Sequence, residues 1–349
     1  MTDARMTGVA VVGKAEREGW PPHRRLAVGL SVVVVALWGA SLAIGYAPLD
    51  LKAAVGDVLA GRNSVAALVL VELRLPRALL GALVGFSLGI TGAALQGLMR
   101  NPLAEPGIIG VSGAAAFGAV LTFYFGLAGA FSLALPLGGI AGAFAATFVL
   151  LALAGRGAGT MTLILAGVAI NSFTGALTTL ALNLSANPFA VTEIVFWLMG
   201  SFADRSLSYI WLVMPLMALG WGLIGMSGPA LDALTLGEET AASLGVNLGR
   251  LRLQLVAGTA LAVGSAVAVT GAIGFVGLVV PHLLRPLVAH RPRRLLLVSG
   301  LGGAALTLAA DVGVRLLPVR PELKLGVVTA MIGAPFLFSL IFRLRREES

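Results

Sequence analysis

After Arg77 the chain runs for about twenty apolar and small residues before the next charge, Arg100, long enough for one helix to cross the hydrocarbon of a bilayer. Arg74 and Arg77 open the run around Pro76. It ends at Asn101-Pro102, turns through Ala104-Glu105-Pro106-Gly107, and becomes apolar again towards Gly118. This pattern calls for two membrane segments meeting at a polar elbow fixed by proline.

Composition generalises the point. The chain is 58% hydrophobic and 11% charged, with mean hydropathy +0.97, whereas soluble domains carry about 25% charged residues. So much apolar surface does not fit into one soluble core, which makes this an all-α polytopic membrane protein. Its 46 glycines suit a membrane bundle, where small residues let helix backbones approach closely. The net charge of +8 comes from basic residues clustered at the ends of apolar runs. That is an orientation signal and not a stripe for nucleic acid. The absence of cysteine excludes disulfides, thiol catalysis and cysteine-held metals. His23, His282 and His290 are too scattered to form a metal site, and no cofactor is expected.

Residues 1–25 read as a flexible cytoplasmic tail and 26–349 as a transmembrane domain. About ten crossings are expected: 26–46, one starting near Pro76 and ending at 99, 108–126, 131–154, 161–184, 207–227, 253–273, a shorter 275–289, 295–310 and 325–342. A cleaved signal peptide at the start would need a shorter apolar core and a clearer small-residue site. Residues 48–63 read as a short amphipathic helix outside the membrane, and 187–204 as a short re-entrant or surface helix. Residues 228–252 are the longest polar stretch after the tail.

With both termini inside, Arg24, Arg25, Arg100, Arg156, Arg250, Arg252, Arg291 to Arg294 and Arg343 to Arg346 all face the cytoplasm, as the positive-inside bias requires. Arg74, Arg77, Arg205, Arg315, Arg320 and Lys324 then lie outside, against the bias, and need another explanation. A shift of 179 residues aligns Val84-Gly85 with Val263-Gly264 and Thr91-Gly92-Ala93 with Thr270-Gly271-Ala272, a weak sign of the inverted repeats found in transporters.

Several long motifs occur in order: RLPR at 74–77, TGAALQGLMRNPLAEPGIIGVSGAA at 91–115, LAGVAIN at 165–171, LGEETAASLGV at 236–246, TGAIGFVGLVVPHLLR at 270–285 and ELKLGVVTAMIGAPFLF at 322–338. Together they resemble the FecCD family of permease subunits, from type II ABC importers of ferric siderophores, haem and vitamin B12. The resemblance runs from about residue 26 to the C-terminus. It implies a homodimer in the bacterial inner membrane with its path between the subunits. Two copies of an ATPase would bind beneath it and a periplasmic substrate-binding protein above.

The resemblance also assigns residues. Glu238, Glu239, Ala241, Ala242, Leu244 and Gly245 match the loop by which such permeases contact their ATPases. Small alanines would let a short helix seat in a socket, and Gly245 would end it. Arg74, Arg77 and Arg315 (or its neighbour Arg320) correspond to arginines that grip glutamates on the binding protein, a task suited to a planar fork; anchoring to lipid headgroups is the plainer alternative. Asn101, Leu103, Thr160 and Met161 fall where the family narrows its cytoplasmic gate, although Thr160 also suits ordinary helix capping. Asn171, Ser172, Thr174 and Thr178 either line the path or hydrogen-bond between helices. Trp197 and Met199 are placed near a bulky cargo, and His282 reads more simply as a membrane histidine beside a helix than as a haem ligand.

Two other classes fit the residues less well. A secondary transporter usually carries ionisable groups inside its spans, and here only Asp311, near a helix end, and Glu193, in the 187–204 stretch, approach that description. An intramembrane enzyme would need a catalytic constellation that the spans lack. With no Walker A motif in the sequence, energy is expected from a separate ATPase. An iron chelate is the broadest cargo class, with haem the nearest rival and a corrinoid the alternative.

Overall fold

The computed structural model describes residues 22–154, 159–319 and 321–348. Residues 1–21, Arg156 and Arg320 lie outside these. Every regular element among the described residues is a helix. Seven are long and apolar enough to span a membrane, and shorter apolar helices lie between them. The spanning helices are α1 (Pro22–Ala43), α3 (Val65–Leu98), α5 (Ala134–Ala154), α6 (Thr160–Leu184), α8 (Leu207–Met226), α11 (Leu248–Thr270) and α13 (Pro292–Leu316). Between them come α2 (Leu51–Leu59), α4 (Val111–Tyr124), α7 (Pro188–Leu198), α9 (Gly228–Leu234), α10 (Glu238–Ser243) and α12 (Val276–Leu284). The last helix is α14 (Leu325–Glu348).

Local chemistry sets many of these boundaries. Asp50 caps α2 by accepting from the backbone N–H groups of Lys52 and Ala53 at 3.0 and 3.1 Å, which satisfies two otherwise orphaned donors. Asn187 caps α7 through Phe189 N–H at 3.0 Å. These are short helices within the stretches 48–63 and 187–204, where such helices were expected.

Three expectations need correction. Residues 22–25 belong to the first turn of α1 and not to the tail. The second span starts at Val65 and not near Pro76, because a wide π turn at Val69–Arg74 takes up the missing donor and bulky ring of proline without breaking the helix. The crossing expected at 275–289 contains nine α-helical residues, Val276–Leu284, or roughly 14 Å at 1.5 Å per residue, followed by a single 3-10 turn at Pro286–Val288. Non-helical backbone at 271–275, with Gly271 and Phe275 both at positive φ, joins α11 to α12. Protein packs on part of it, since a Cβ on Gly271 would overlap the Trp197 carbonyl and the adjoining Thr270 O accepts from Ser201 N–H at 2.8 Å, while Ala272 and Gly274 are exposed; non-helical backbone is tolerated at membrane depth where it packs on protein or lines a cavity.

The middle of the bundle is α3 and α11, whose spans are 78% and 83% buried, while α1 at 6% lies on the periphery. Glycine notches join α3 to α13. A Cβ on Gly85 would strike the Gly303 carbonyl and Thr307, and one on Gly89 the Ser299 carbonyl. Hydrocarbon provides no hydrophobic drive for helix pairing, so close backbone approach of this kind supplies the packing. Thr307 Oγ1 reinforces it by donating to Gly81 O at 2.7 Å, and Trp221 Nε1 ties α8 to α3 by donating to Ser87 Oγ at 2.9 Å. Gln96 ties α3 to α12, donating to Leu278 O at 3.3 Å and accepting from Arg285 Nη2 at 2.5 Å. The residues aligned by the 179-residue shift differ locally, since Thr91 lies inside α3 and Thr270 ends α11.

Candidate functional site

The bundle has two polar ends. At one, α1, α11 and α13 finish and α3 begins. Asp311, 2% exposed, lies inside α13 between two arginines: Arg77 Nη2 is 2.9 Å from Oδ1 and Arg315 Nη2 is 2.8 Å from Oδ2. Arg77 also pairs with Glu322 in the connection to α14. Arg315 donates from Nη1 to the carbonyls of Ser41 and Ile44 at 2.8 and 2.6 Å, and from Nη2 to Ser41 Oγ at 2.6 Å. Arg74 donates to the carbonyls of Leu42, Ala43 and Ala47 at 2.8, 2.6 and 2.5 Å. Two arginines therefore satisfy carbonyls left unpaired where α1 ends, the end of a helix that favours cations.

This corrects the picture of arginines displayed at the surface. Arg74 and Arg315 are 5% and 6% exposed, and only Arg77, with its side chain 12% exposed beside a 20% exposed Glu322, approaches the rim. Arg74 and Arg77, three residues apart, reach different partners. Arg74 closes the π turn and reaches α1, while Arg77 lies in the regular helix beyond it and reaches α13. The partners Asp311 and Glu322 were missed because they sit 234 and 245 positions from Arg77, beyond any local spacing rule.

At the other end, α9 and α10 form a compact pad between α8 and α11. Leu231, Leu234 and Ala241 are its buried anchors. Helix α10 begins after Gly237 and ends in a double turn: Val246 N–H donates to Ala241 O at 3.0 Å and Gly245 N–H to Ala242 O at 2.9 Å. Gly245 sits at φ 88°, where a left-handed residue closes the helix and glycine fits best. Glu239, Ala242 and Gly245 are exposed, as is Leu244 at 63%. Glu238 braces the pad from below: Arg252 Nη2 lies 2.9 Å from its Oε1, and Thr160 Oγ1 donates to the same oxygen at 3.2 Å.

The four gate candidates separate. Asn101 Oδ1 accepts from Leu103 N–H at 2.9 Å, a local turn beside Arg100 at φ 49°. Thr160 is not the cap of α6, since Gly159 holds that position; its hydroxyl joins the pad instead. Met161 is 68% exposed. Among the path candidates, Asn171 is exposed and Met199 is 38% exposed, but Trp197 is 7% exposed and packs edge-on against Phe123 at 6.4 Å, so it belongs to the core. Ser172 is exposed. Thr174 and Thr178 donate to carbonyls of their own helix, Ile170 and Thr174, at 2.9 and 2.8 Å. His282 packs edge-on against Phe336 at 5.4 Å, and the described residues hold no cluster of three or more histidine or acidic residues fit for a metal.

A multi-pass helical bundle with one helix-breaking connection inside it and a short braced helix pair at one end has the type II ABC importer permease fold. A solved structure described as an inward-facing conformation of a proposed metal-chelate type ABC transporter superposes with TM-score 0.81 at 32% identity, covering 92% of this chain and 99% of that one. The sequence model of the FecCD transport family matches residues 33–343, and the chain belongs to that family. It is 40% identical to the uncharacterized ABC transporter permease protein YvrB of Bacillus subtilis over 283 residues, 80% of each chain. It is 39% identical to the vitamin B12 import system permease protein BtuC of Vibrio cholerae, over 78% of this chain and 82% of that one. The hemin transport system permease protein HmuU of Yersinia pestis is 36% identical over 80% of this chain and 84% of its own. The chain is thus a multi-pass inner-membrane component of an ABC transporter, a class that implies an ATPase and a substrate-binding partner.

Proposed function

We propose that this chain is the permease subunit of an ATP-driven importer that carries an iron(III) chelate, a siderophore complex or haem, from periplasm to cytoplasm between two copies of itself. The observation that carries the reading is the α9–α10 pad. A rigid, braced helix presenting Ala242 and Leu244 suits a socket on a separate protein, and two ATPase subunits would occupy the two pads of the dimer. Both termini and the pad face the cytoplasm. Asn101, Leu103, Thr160 and Met161 narrow the path near the pad, with Asn171 and Met199 above them.

The binding protein docks at the arginine end. Arg74, Arg77 and Arg315 carry three positive charges against two from Asp311 and Glu322, leaving a surplus that favours an acidic partner. An incoming glutamate would compete with Glu322 for Arg77, while Arg74 and Arg315 hold the surface in shape. Likeness to the hemin permease and to a metal-chelate type transporter supports the iron chelate. Likeness to the B12 permease supports a corrinoid as the second reading.

Uptake by proteoliposomes holding the chain with its ATPase and binding protein tests both levels. Labelled ferric siderophore or haem should accumulate only with ATP and both partners. Accumulation of cobalamin alone would reassign the cargo. Uptake by the isolated chain on a proton or sodium gradient would overturn the whole reading.

A further inference from the structure

On the same end as the pad, the first turns of α1 and α13 enclose a cavity of about 450 Å3. Arg24, Arg291, Arg293 and Arg294 wall it, and Ala27 and Leu297 form its apolar floor. None of the four guanidinium groups enters an ion pair among the described residues. One carboxylate, Asp232 of α9, lines the cavity, and its Oδ1 is engaged by Arg293 backbone N–H at 2.9 Å. Four arginines against one aspartate leave a surplus of three positive charges in a concave site.

An orientation signal needs basic residues at the span ends but does not need them gathered around a cavity. Gathering them costs mutual repulsion, which an anionic ligand would offset. The site's position selects that ligand. Its floor residue Leu297 is 52% exposed, and on α1, beginning at the residue after Ala27, Val28, Val32 and Val35 are exposed at 47%, 63% and 68%. Charge therefore sits where a headgroup would lie and an open apolar track follows where acyl chains would lie. Basic pockets between spanning helices recognise anionic headgroups in this way.

We propose that this cavity binds the phosphate of an anionic phospholipid, with its chains along α1. Because Asp232 joins the cavity wall to α9, a bound lipid would brace the pad from its membrane side. The site does not depend on the identity of the cargo.

Native mass spectrometry of the full chain, with phosphatidylglycerol and phosphatidylcholine in equal amounts, tests this directly. The wild type should retain phosphatidylglycerol with a preference of about tenfold or more. Arg24→Gln/Arg294→Gln should bring the preference close to one. Arg24→Lys/Arg294→Lys should keep most of it, and Arg250→Gln, on the same end but outside the cavity, should leave it intact. A preference that survives the double glutamine change, or that falls equally with Arg250→Gln, would overturn the proposal. So would displacement of the lipid by glycerol phosphate at equal concentration, which would mark a site for soluble phosphate. If the glutamine variant fails to fold, competition by glycerol phosphate on the wild type still decides between the two ligands.

Discussion

At the scale of single residues, the arginine end behaves as one network around Asp311. Removing Arg315 strips that carboxylate of one partner and leaves the carbonyls of Ser41 and Ile44 without their donor. Breaking a buried pair in this way costs about 3–5 kcal/mol. Arg315→Ala should therefore lower the thermal midpoint of the purified protein well beyond Arg62→Ala, which breaks an exposed pair with Asp57. Adding Asp311→Asn to Arg315→Ala should cost less than the sum of the two single changes, because one carboxylate serves both. Arg77→Gln has a different signature. It should weaken binding-protein affinity and flatten its salt dependence, and affinity unchanged at low salt would remove Arg77 from docking. The sequence marked these arginines as anomalies, since a charge against the positive-inside bias stands out locally. It could not show that their partners lie inside the chain, because nothing in residues 74–77 points to Asp311 or Glu322.

Whole elements obey rules of shorter range, and those were easier to read. Gly245 ends α10 as expected, because helix termination is written into the residues beside it. Gly245→Ala puts a side chain at φ 88°, a strain of about 1 kcal/mol, and should fray the end of α10. Leu244→Ser leaves the backbone alone but removes the exposed apolar tip. It should reduce permease-stimulated ATP hydrolysis while the thermal midpoint holds, and unchanged stimulation would separate the pad from the ATPase. The interface of α3 and α13 was not legible, because glycine-rich helices look alike until it is known which notch meets which. Gly89→Ala places a methyl against the Ser299 carbonyl, an overpacking cost of about 1–3 kcal/mol, and should lower stability more than Gly222→Ala, where the space is open. Hydropathy misread α12 for a related reason: it measures apolar length and does not register that the backbone at 271–275 leaves the helix.

For the whole molecule, one geometric fact organises everything else: Arg74, Arg77 and Arg315 lie at one end of the bundle, and Glu238, Leu244 and the basic cavity at the other. The proposal of which end meets the cytoplasm rests on charge counting alone, and an inverted assignment would exchange the proposed docking and coupling faces. The chain contains no cysteine, so one introduced thiol reports on one position. Leu59, 83% exposed at the end of α2, marks the arginine end; Ser243, exposed at the end of α10, marks the pad. In whole spheroplasts, a membrane-impermeant maleimide should label Leu59→Cys and spare Ser243→Cys, and permeabilisation should then expose Ser243→Cys. If bound ATPase covers the pad, stripping it before labelling should reveal the thiol from the inner side only. Labelling of Ser243→Cys from outside, with Leu59→Cys protected, would place the pad in the periplasm, where no nucleotide reaches it, and the importer reading would fail at its base.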